Sequence, residues 1–253
     1  MCGFFGNFSK FGNKLIFQDN LREITKLINH RGPDGEGFFE DNEISLGFKR
    51  LSIIDIEKGN QPFMSKNNRY VIVFNGEIYN YRDIRKKIIL SGNSLTTNSD
   101  TEALVESLSI WGLDFIKNIV GMFSIALYDK EYKRLHLIRD RLGIKPLYYS
   151  IVNKNVIFSS EIQTLLKTNL LNKDVNHTAI SSYLSFRNPI GVGTFFNEIN
   201  EVNPGQIITI DREIKKITYW SIPKNSQIID KGINYFEDTT KDLLKKVVDD
   251  HMV

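Results

Sequence analysis

Residues 121–140 read GMFSIALYDKEYKRLHLIRD. Within them Met122–Tyr128 and Arg134–Ile138 are apolar, strand-like runs separated by a turn-length gap around Lys130. Strands joined so closely pair as an antiparallel hairpin, because a parallel pair needs a crossover of about a dozen residues or more. Similar runs, rich in Ile, Val, Phe and Tyr and bounded by Gly, Asn or Asp, occur at Phe4–Phe8, Ile44–Phe48, Tyr70–Phe74, Leu147–Val152 and Val156–Phe158. Helical spacing falls between these groups rather than after each strand. It is carried by Leu21, Ile24, Leu27 and Ile28, then by Ile84, Ile88 and Ile89 with Gly92 as a stop. A third helix is expected after Asp100, carrying Ala103, Leu104, Leu108 and Trp111, and others near Glu161–Lys167 and Thr178–Phe186. The fold class is α+β with antiparallel sheets.

A chain of 253 residues, with 41% hydrophobic and 25% charged residues, is long enough for one large domain or two small ones with a core of their own. The net charge of +3 speaks against a polyanion-binding surface, so no nucleic-acid partner is expected. No apolar run approaches the roughly 18 residues of a membrane span. No basic segment precedes the first apolar residues, as a signal peptide would require. The expected location is the cytoplasm, which suits a single reduced cysteine. Around Ser221–Lys231 the Pro, Lys, Asn, Ser and Gly content reads as a linker. Beyond it, Phe236, Leu243, Leu244, Val247, Val248 and Met252 form an apolar helical stripe that runs to the chain end without a stop signal. That pattern is expected of a helix continuing into something longer.

The single cysteine is Cys2. A free thiol has a pKa of about 8.5 and needs a base to act as a nucleophile. Were Met1 removed, the α-amino group of Cys2, with a reference pKa of about 7.7–8.0, would be tethered beside its own sulfur. A buried, unreactive cysteine at a strand start is the alternative. Three polar segments lie at expected element ends: Arg50 after Ile44–Phe48, Asn75-Gly76-Glu77 after Tyr70–Phe74, and Asn98-Ser99-Asp100-Thr101-Glu102 before a helix. Singly, these read as a solvated arginine, a type I′ turn and a helix cap with Glu102 completing a capping box. Together they offer a guanidinium for an α-carboxylate, an Asp for an α-ammonium, and amide donors for an oxyanion.

In these residues the chain resembles a known family. Cys2-Gly3, His30-Arg31-Gly32-Pro33-Asp34-Gly35, Arg50-Leu51-Ser52-Ile53-Ile54-Asp55, Gln61-Pro62, Phe74-Asn75-Gly76-Glu77-Ile78-Tyr79-Asn80 and Ser99-Asp100-Thr101-Glu102 are similar to the class II glutamine amidotransferase domain. Gly121-Met122-Phe123, Arg139–Tyr149 and Ser160-Glu161 narrow the resemblance to the glutamine-dependent asparagine synthetase branch. The resemblance implies an N-terminal-nucleophile hydrolase fold, a four-layer αββα sandwich of two antiparallel sheets. It implies glutamine hydrolysis to glutamate and ammonia, with the ammonia passed to an ATP-dependent synthetase domain that makes asparagine from aspartate. Cys2 matches the nucleophile, and Asn75 and Gly76 the oxyanion donors. Arg50 matches the carboxylate clamp, and Glu77 and Asp100 the amino-group side of the pocket. Leu51, Ile53 and Ile54 are implied as its lining.

His30-Arg31-Gly32-Pro33-Asp34 reads as a loop shaping the site, and Arg139–Tyr149 as a structural strand–turn–strand. The four histidines are assigned structural or solvated roles. No metal site is expected, and no cofactor for this chain. ATP and Mg²⁺ belong to the synthetase domain, whose Ser-Gly-Gly-x-Asp-Ser phosphate loop is absent from the sequence. Residues 1–220 are therefore expected to be the glutaminase domain, and 221–253 a linker and the start of a helix leading to a synthetase domain that is missing or separate. The partners implied are glutamine and that domain, with a homodimer left open. Two alternatives remain: the same glutaminase serving surface-polysaccharide or peptide amidation, and a catalytically silent domain that binds glutamine or a partner.

Overall fold

The computed structural model describes residues 1–10, 13–16, 18–191, 193–223 and 229–252. Residues 224–228 of the expected linker lie outside the described residues. The chain begins with β1 (Gly3–Phe8), α1 (Gln18–Lys26), β2 (Gly35–Glu40), β3 (Ile44–Arg50), β4 (Phe63–Met64) and β5 (Tyr70–Ile78). Then come α2 (Tyr81–Leu90), α3 (Asp100–Trp111), a 3-10 turn (Leu113–Asn118), β6 (Gly121–Asp129), β7 (Arg134–Arg139), β8 (Tyr148–Val152) and β9 (Asn155–Ser159). The last elements are α4 (Ile162–Leu166), α5 (His177–Phe186), β10 (Asn200–Glu201), β11 (Gln206–Ile210), β12 (Ile214–Thr218) and α6 (Ile233–His251).

The strands form two antiparallel six-stranded sheets, ordered β10-β8-β9-β1-β3-β2 and β12-β11-β7-β6-β5-β4. The expected hairpin is the β6–β7 pair, with Ser124 opposite Arg139 and Asp129 opposite Arg134. Period-two alternation sorts the apolar side chains into layers. Phe4 and Phe8 of β1, Ile44, Leu46 and Phe48 of β3, and Val71 and Val73 of β5 pack together between the sheets. Ile72 and Phe74 face outward onto Ile84 and Ile88 of α2 and Leu104 and Leu108 of α3. Phe5 and Ile157 face the opposite way, onto Leu21 and Ile24 of α1 and Leu165 of α4. The result is the expected helix–sheet–sheet–helix sandwich.

The structure lengthens several expected elements. Phe74 does not end its strand: β5 stays paired with β6 through Asn75↔Ser124, Gly76↔Phe123, Glu77↔Met122 and Ile78↔Gly121. Asn75-Gly76 is therefore mid-strand and not a type I′ turn. α1 stops at Lys26, and Leu27 and Ile28 continue in turns whose N–H groups bond the Ile24 and Thr25 carbonyls.

Candidate active site

The alternation that builds the core also builds the site at its end. On β3, Ile44, Leu46 and Phe48 face the space between the sheets, and Arg50 continues that row. On β5, Val71 and Val73 continue into Asn75 and Glu77. Cys2 precedes β1 on the face of Phe4 and Phe8 and packs against the same core. Since Gly3 is paired with Lys49, one more step of register sets Cys2 opposite Arg50. The strand ends open into a cavity of about 190 Å³. Cys2, Arg50, Leu51, Ile53, Ile54, Asn75, Gly76, Glu77 and Asp100 all line it.

Cys2 is half-buried, and its Sγ receives the Leu51 N–H at 3.3 Å and lies 3.5 Å from the Leu51 carbonyl. Burial pushes the thiol pKa up, against the lowering effects of the Leu51 N–H, the chain amino terminus and Arg50. The thiol therefore needs a base. Arg31 fixes the residue from behind: its Nε donates to the Cys2 carbonyl at 3.0 Å while a terminal nitrogen binds Glu161 at 3.0 Å. His30 also reaches Glu161, at 2.8 Å, and stays exposed. This supports the 30–34 loop through Arg31 rather than through the histidine.

Asn75 is 1% exposed, and its Nδ2 has no hydrogen-bond partner among the described residues. An unpaired buried amide costs about 1–3 kcal/mol, which a ligand acceptor in the cavity would recover. Beside it, a Cβ on Gly76 would overlap the Met122 carbonyl oxygen. Only glycine lets β5 run that close to β6 here. Gln61 holds the strand in place: its Oε1 accepts from the Phe74 N–H at 2.6 Å and its Nε2 donates to Thr101 at 3.2 Å. That amide ties β5 to the first turn of α3.

Asp100 opens α3, with Ser99 as the N-cap accepting from the Glu102 N–H at 3.1 Å. The capping box is not closed. Glu102 instead accepts from the backbone N–H groups of Thr96 and Thr97, both at 2.7 Å. Asp100 is thus not the cap. Its carboxylate accepts from the Ile78 N–H at 3.3 Å, and it is 6% exposed. Burial raises its pKa to about 6; backbone N–H groups oppose the shift and Glu77 adds to it.

Arg50 is 7% exposed, so it is not a solvated charge. Its terminal nitrogens donate to the carbonyls of Ile54, Asp55 and Ile56 at 3.3, 2.6 and 2.7 Å, and to Asn60 Oδ1 at 3.0 Å. It organises the 54–60 loop, and a Cβ on Gly59 would sit 2.6 Å from the guanidinium. A carboxylate arriving at Arg50 would have to take over some of these bonds.

Met1, Gly59, Gln61, Phe74, Thr101, Met122 and Lys145 also line the cavity, and none was assigned to it from sequence. For Gln61, Phe74, Thr101, Met122 and Lys145 a signal existed, since each lies in a motif already singled out. Among the described residues no group of three or more His, Cys, Asp or Glu could hold a metal ion. No helix there is long and apolar enough to cross a membrane.

A thiol, an unpaired amide, a buried carboxylate and a guanidinium around one small cavity suit the binding and cleavage of an amino-acid-sized amide. A sequence profile described as "Glutamine amidotransferase domain" matches residues 1–220. Asparagine synthetase [glutamine-hydrolyzing] 1 of Bacillus subtilis is 36% identical over 224 residues, which are 87% of this chain and 35% of the relative. Amidase chyE of Penicillium rubens is 35% identical over 208 residues, 81% of this chain and 30% of the relative. The chain thus spans about a third of the length of these relatives. A glutamine phosphoribosylpyrophosphate amidotransferase from B. subtilis shares the fold, with a TM-score of 0.61 and 19% identity over 87% of this chain and 49% of that one.

Proposed function

The chain belongs to the glutamine amidotransferase domain family, and from that premise we propose that it hydrolyses glutamine to glutamate and ammonia at Cys2. The observation that carries the reading is the unpaired Asn75 amide in the same cavity as the only thiol. With Met1 removed, the Cys2 α-amine takes the thiol proton as sulfur attacks the side-chain carbonyl of glutamine. The tetrahedral oxyanion is held by Asn75 Nδ2 and the Gly76 N–H. Its collapse breaks the C–N bond, and the amine returns the proton to the leaving ammonia. Water, deprotonated by the same amine, then splits the thioester to glutamate and restores the thiol.

Asp100 and Glu77 receive the substrate ammonium, Arg50 its carboxylate, and Leu51, Ile53 and Ile54 enclose the carbon chain. Residues 1–220, the span of the family match, form the glutaminase, and 221–253 lead from it. The ammonia goes to an ATP- and Mg²⁺-dependent domain making asparagine; the relatives named asparagine synthetase, much longer than this chain, support that acceptor. A relative named an amidase at 35% identity favours a second reading, in which the same glutaminase serves another acceptor. A free thiol nucleophile suits the cytoplasm.

The test is ammonia release from glutamine. Intact mass should show a chain beginning at Cys2, and Cys2→Ala should abolish release. Turnover by protein that retains Met1 would sink the tethered-amine mechanism.

A further inference from the structure

The turn between β7 and β8 does more than join two strands. The Asp140 carboxylate accepts from the backbone N–H groups of Phe123, Leu142, Ile144 and Lys145 at 2.9–3.1 Å. Arg139 Nε donates to the Lys145 carbonyl at 2.8 Å. The Lys145 backbone is therefore held from both sides, and its side chain, 6% exposed, forms part of the cavity wall with Met1 and Cys2. A lysine so deeply buried ordinarily has a carboxylate or several carbonyls as partners. Among the described residues the Nζ of Lys145 makes one hydrogen bond, to Met1 Sδ at 3.4 Å. A thioether is a weak acceptor. Burial accordingly presses the pKa of the ammonium down, with Arg31 adding to the effect and Glu77, Cys2 and Asp140 opposing it.

Met1 is also the residue whose departure frees the Cys2 amine. When it leaves, Lys145 loses its sulfur partner, and the new amine belongs to a residue that lines the same cavity as Lys145. We propose that Lys145 is a positioning residue acting through Cys2: its ammonium, fixed at the cavity wall by the Asp140 turn, holds the Cys2 amine in its free-base form. The inference rests on the glutaminase reading and deepens it. A cation beside a titrating amine disfavours protonation of that amine and favours the thiolate.

Other charges also face Cys2. Arg31, from the loop after α1, is engaged by Glu161 and the Cys2 carbonyl. Arg50, from β3, also favours the thiolate, but its guanidinium is directed to the carbonyls of the 54–60 loop. Asp140 is caged by N–H groups of its own turn. Glu77 from β5 and Asp100 from α3 act in the opposite sense, and Asp100 loses its charge below about pH 6.

The experiment uses chain shown by mass to begin at Cys2 and follows two profiles between about pH 5 and 9. One is the alkylation rate of Cys2 by iodoacetamide, which has a single cysteine to report on. The other is kcat/KM for glutamine. In Lys145→Met the alkylation midpoint and the acid limb of kcat/KM should both move up by roughly one pH unit. Lys145→Arg should return them, and Lys145→Gln serves as a second neutral variant if the Met variant folds poorly. Profiles unmoved in the neutral variants overturn the proposal, as does an Arg variant that stays shifted. An alkylation midpoint that shifts in the neutral variants, where the wild-type chain shows no glutamine turnover, would uphold the Lys145 assignment while removing the glutaminase reading.

Discussion

The two ends of the sandwich treat buried charge in opposite ways. At the far end, where β3 begins and β5 meets the β6–β7 turn, Asp129 is 1% exposed and is met by Arg69 through two bonds, at 2.9 and 3.2 Å, and by Arg134 at 3.5 Å. Burial pushes its pKa up, but the Arg69 hydrogen bonds and the two guanidinium charges outweigh this and leave it lowered. Glu43 nearby accepts from Lys133 at 2.6 Å and from the Tyr128 hydroxyl at 3.1 Å. At the cavity end of the same strands, Asp100 has backbone N–H groups but no cation, and its pKa rises to about 6. Among the described residues, Asn75 Nδ2 has no partner and Lys145 Nζ has a sulfur. The far end has its counter-charges within the chain, whereas the cavity end leaves them for a ligand. Perturbed groups gathered in one cleft, with their counterparts paired elsewhere, are what separates a site from a scaffold.

Breaking the far end should show the largest effect on stability and none on binding. Asp129→Ala removes the acceptor that Arg69 and Arg134 share, leaving Arg69 only Glu131 at 3.2 Å, and should cost about 3 kcal/mol, since it breaks a largely buried pair. Urea denaturation measures this, and the KM for glutamine should not change. A loss below about 1 kcal/mol would mean that the far end is no more tightly paired than the cavity.

The next effect is the converse, large on turnover and small on folding. Asn75→Ala deletes the unpaired amide, so it removes little that stabilises the free protein. Its kcat for glutamine should fall by roughly 10²–10³ if the amide holds the oxyanion. Steady-state kinetics beside a thermal melt separates the two effects. An unchanged kcat would reassign Asn75 to the scaffold.

Sequence showed this contrast only in part. The central strands were legible because alternation in β1, β3, β5, β6 and β7 is carried by large apolar residues on both faces. The edges were not: β2, with the sequence GEGFFE, is only half-buried and rich in glycine, and β12, with the sequence IKKIT, is largely exposed. Their pairing comes from neighbours remote in sequence. In the site, the residue types of Arg50, Asn75 and Asp100 pointed to an amino-acid amide; alternation then set Arg50 and Asn75 toward the cavity, and the start of α3 brought Asp100 to it. Lys145 lies in the 139–149 motif, but its place in the cavity wall was illegible because a lysine in a turn is ordinarily solvated. Its burial arises from contacts with Met1 and Cys2, more than a hundred residues away in the chain. The Arg50 bonds to loop carbonyls, although local in sequence, were hidden because loop closure leaves no periodic signal.

The smallest effect bears most directly on the contrast. In the free domain the folded pKa of Asp100, about 6, lies above the unfolded carboxylate value of about 3.9. Below about pH 4 the group is protonated whether folded or unfolded, and its burial carries no ionic penalty. As pH rises through 6 the folded state must hold an unpaired carboxylate beside Glu77, and stability is lost. Asp100→Asn keeps the shape without the charge, so it should stabilise the ligand-free domain by roughly 1–3 kcal/mol at pH 7.5, with the gain vanishing below about pH 4. The same variant should raise the glutamine KM, because a neutral amide no longer balances an ammonium. Equal stability of variant and wild type at pH 7.5 would show that Asp100 is already compensated in the empty cavity. A gain in stability together with a loss of affinity would show that the ligand ammonium does for Asp100 what Arg69 does for Asp129.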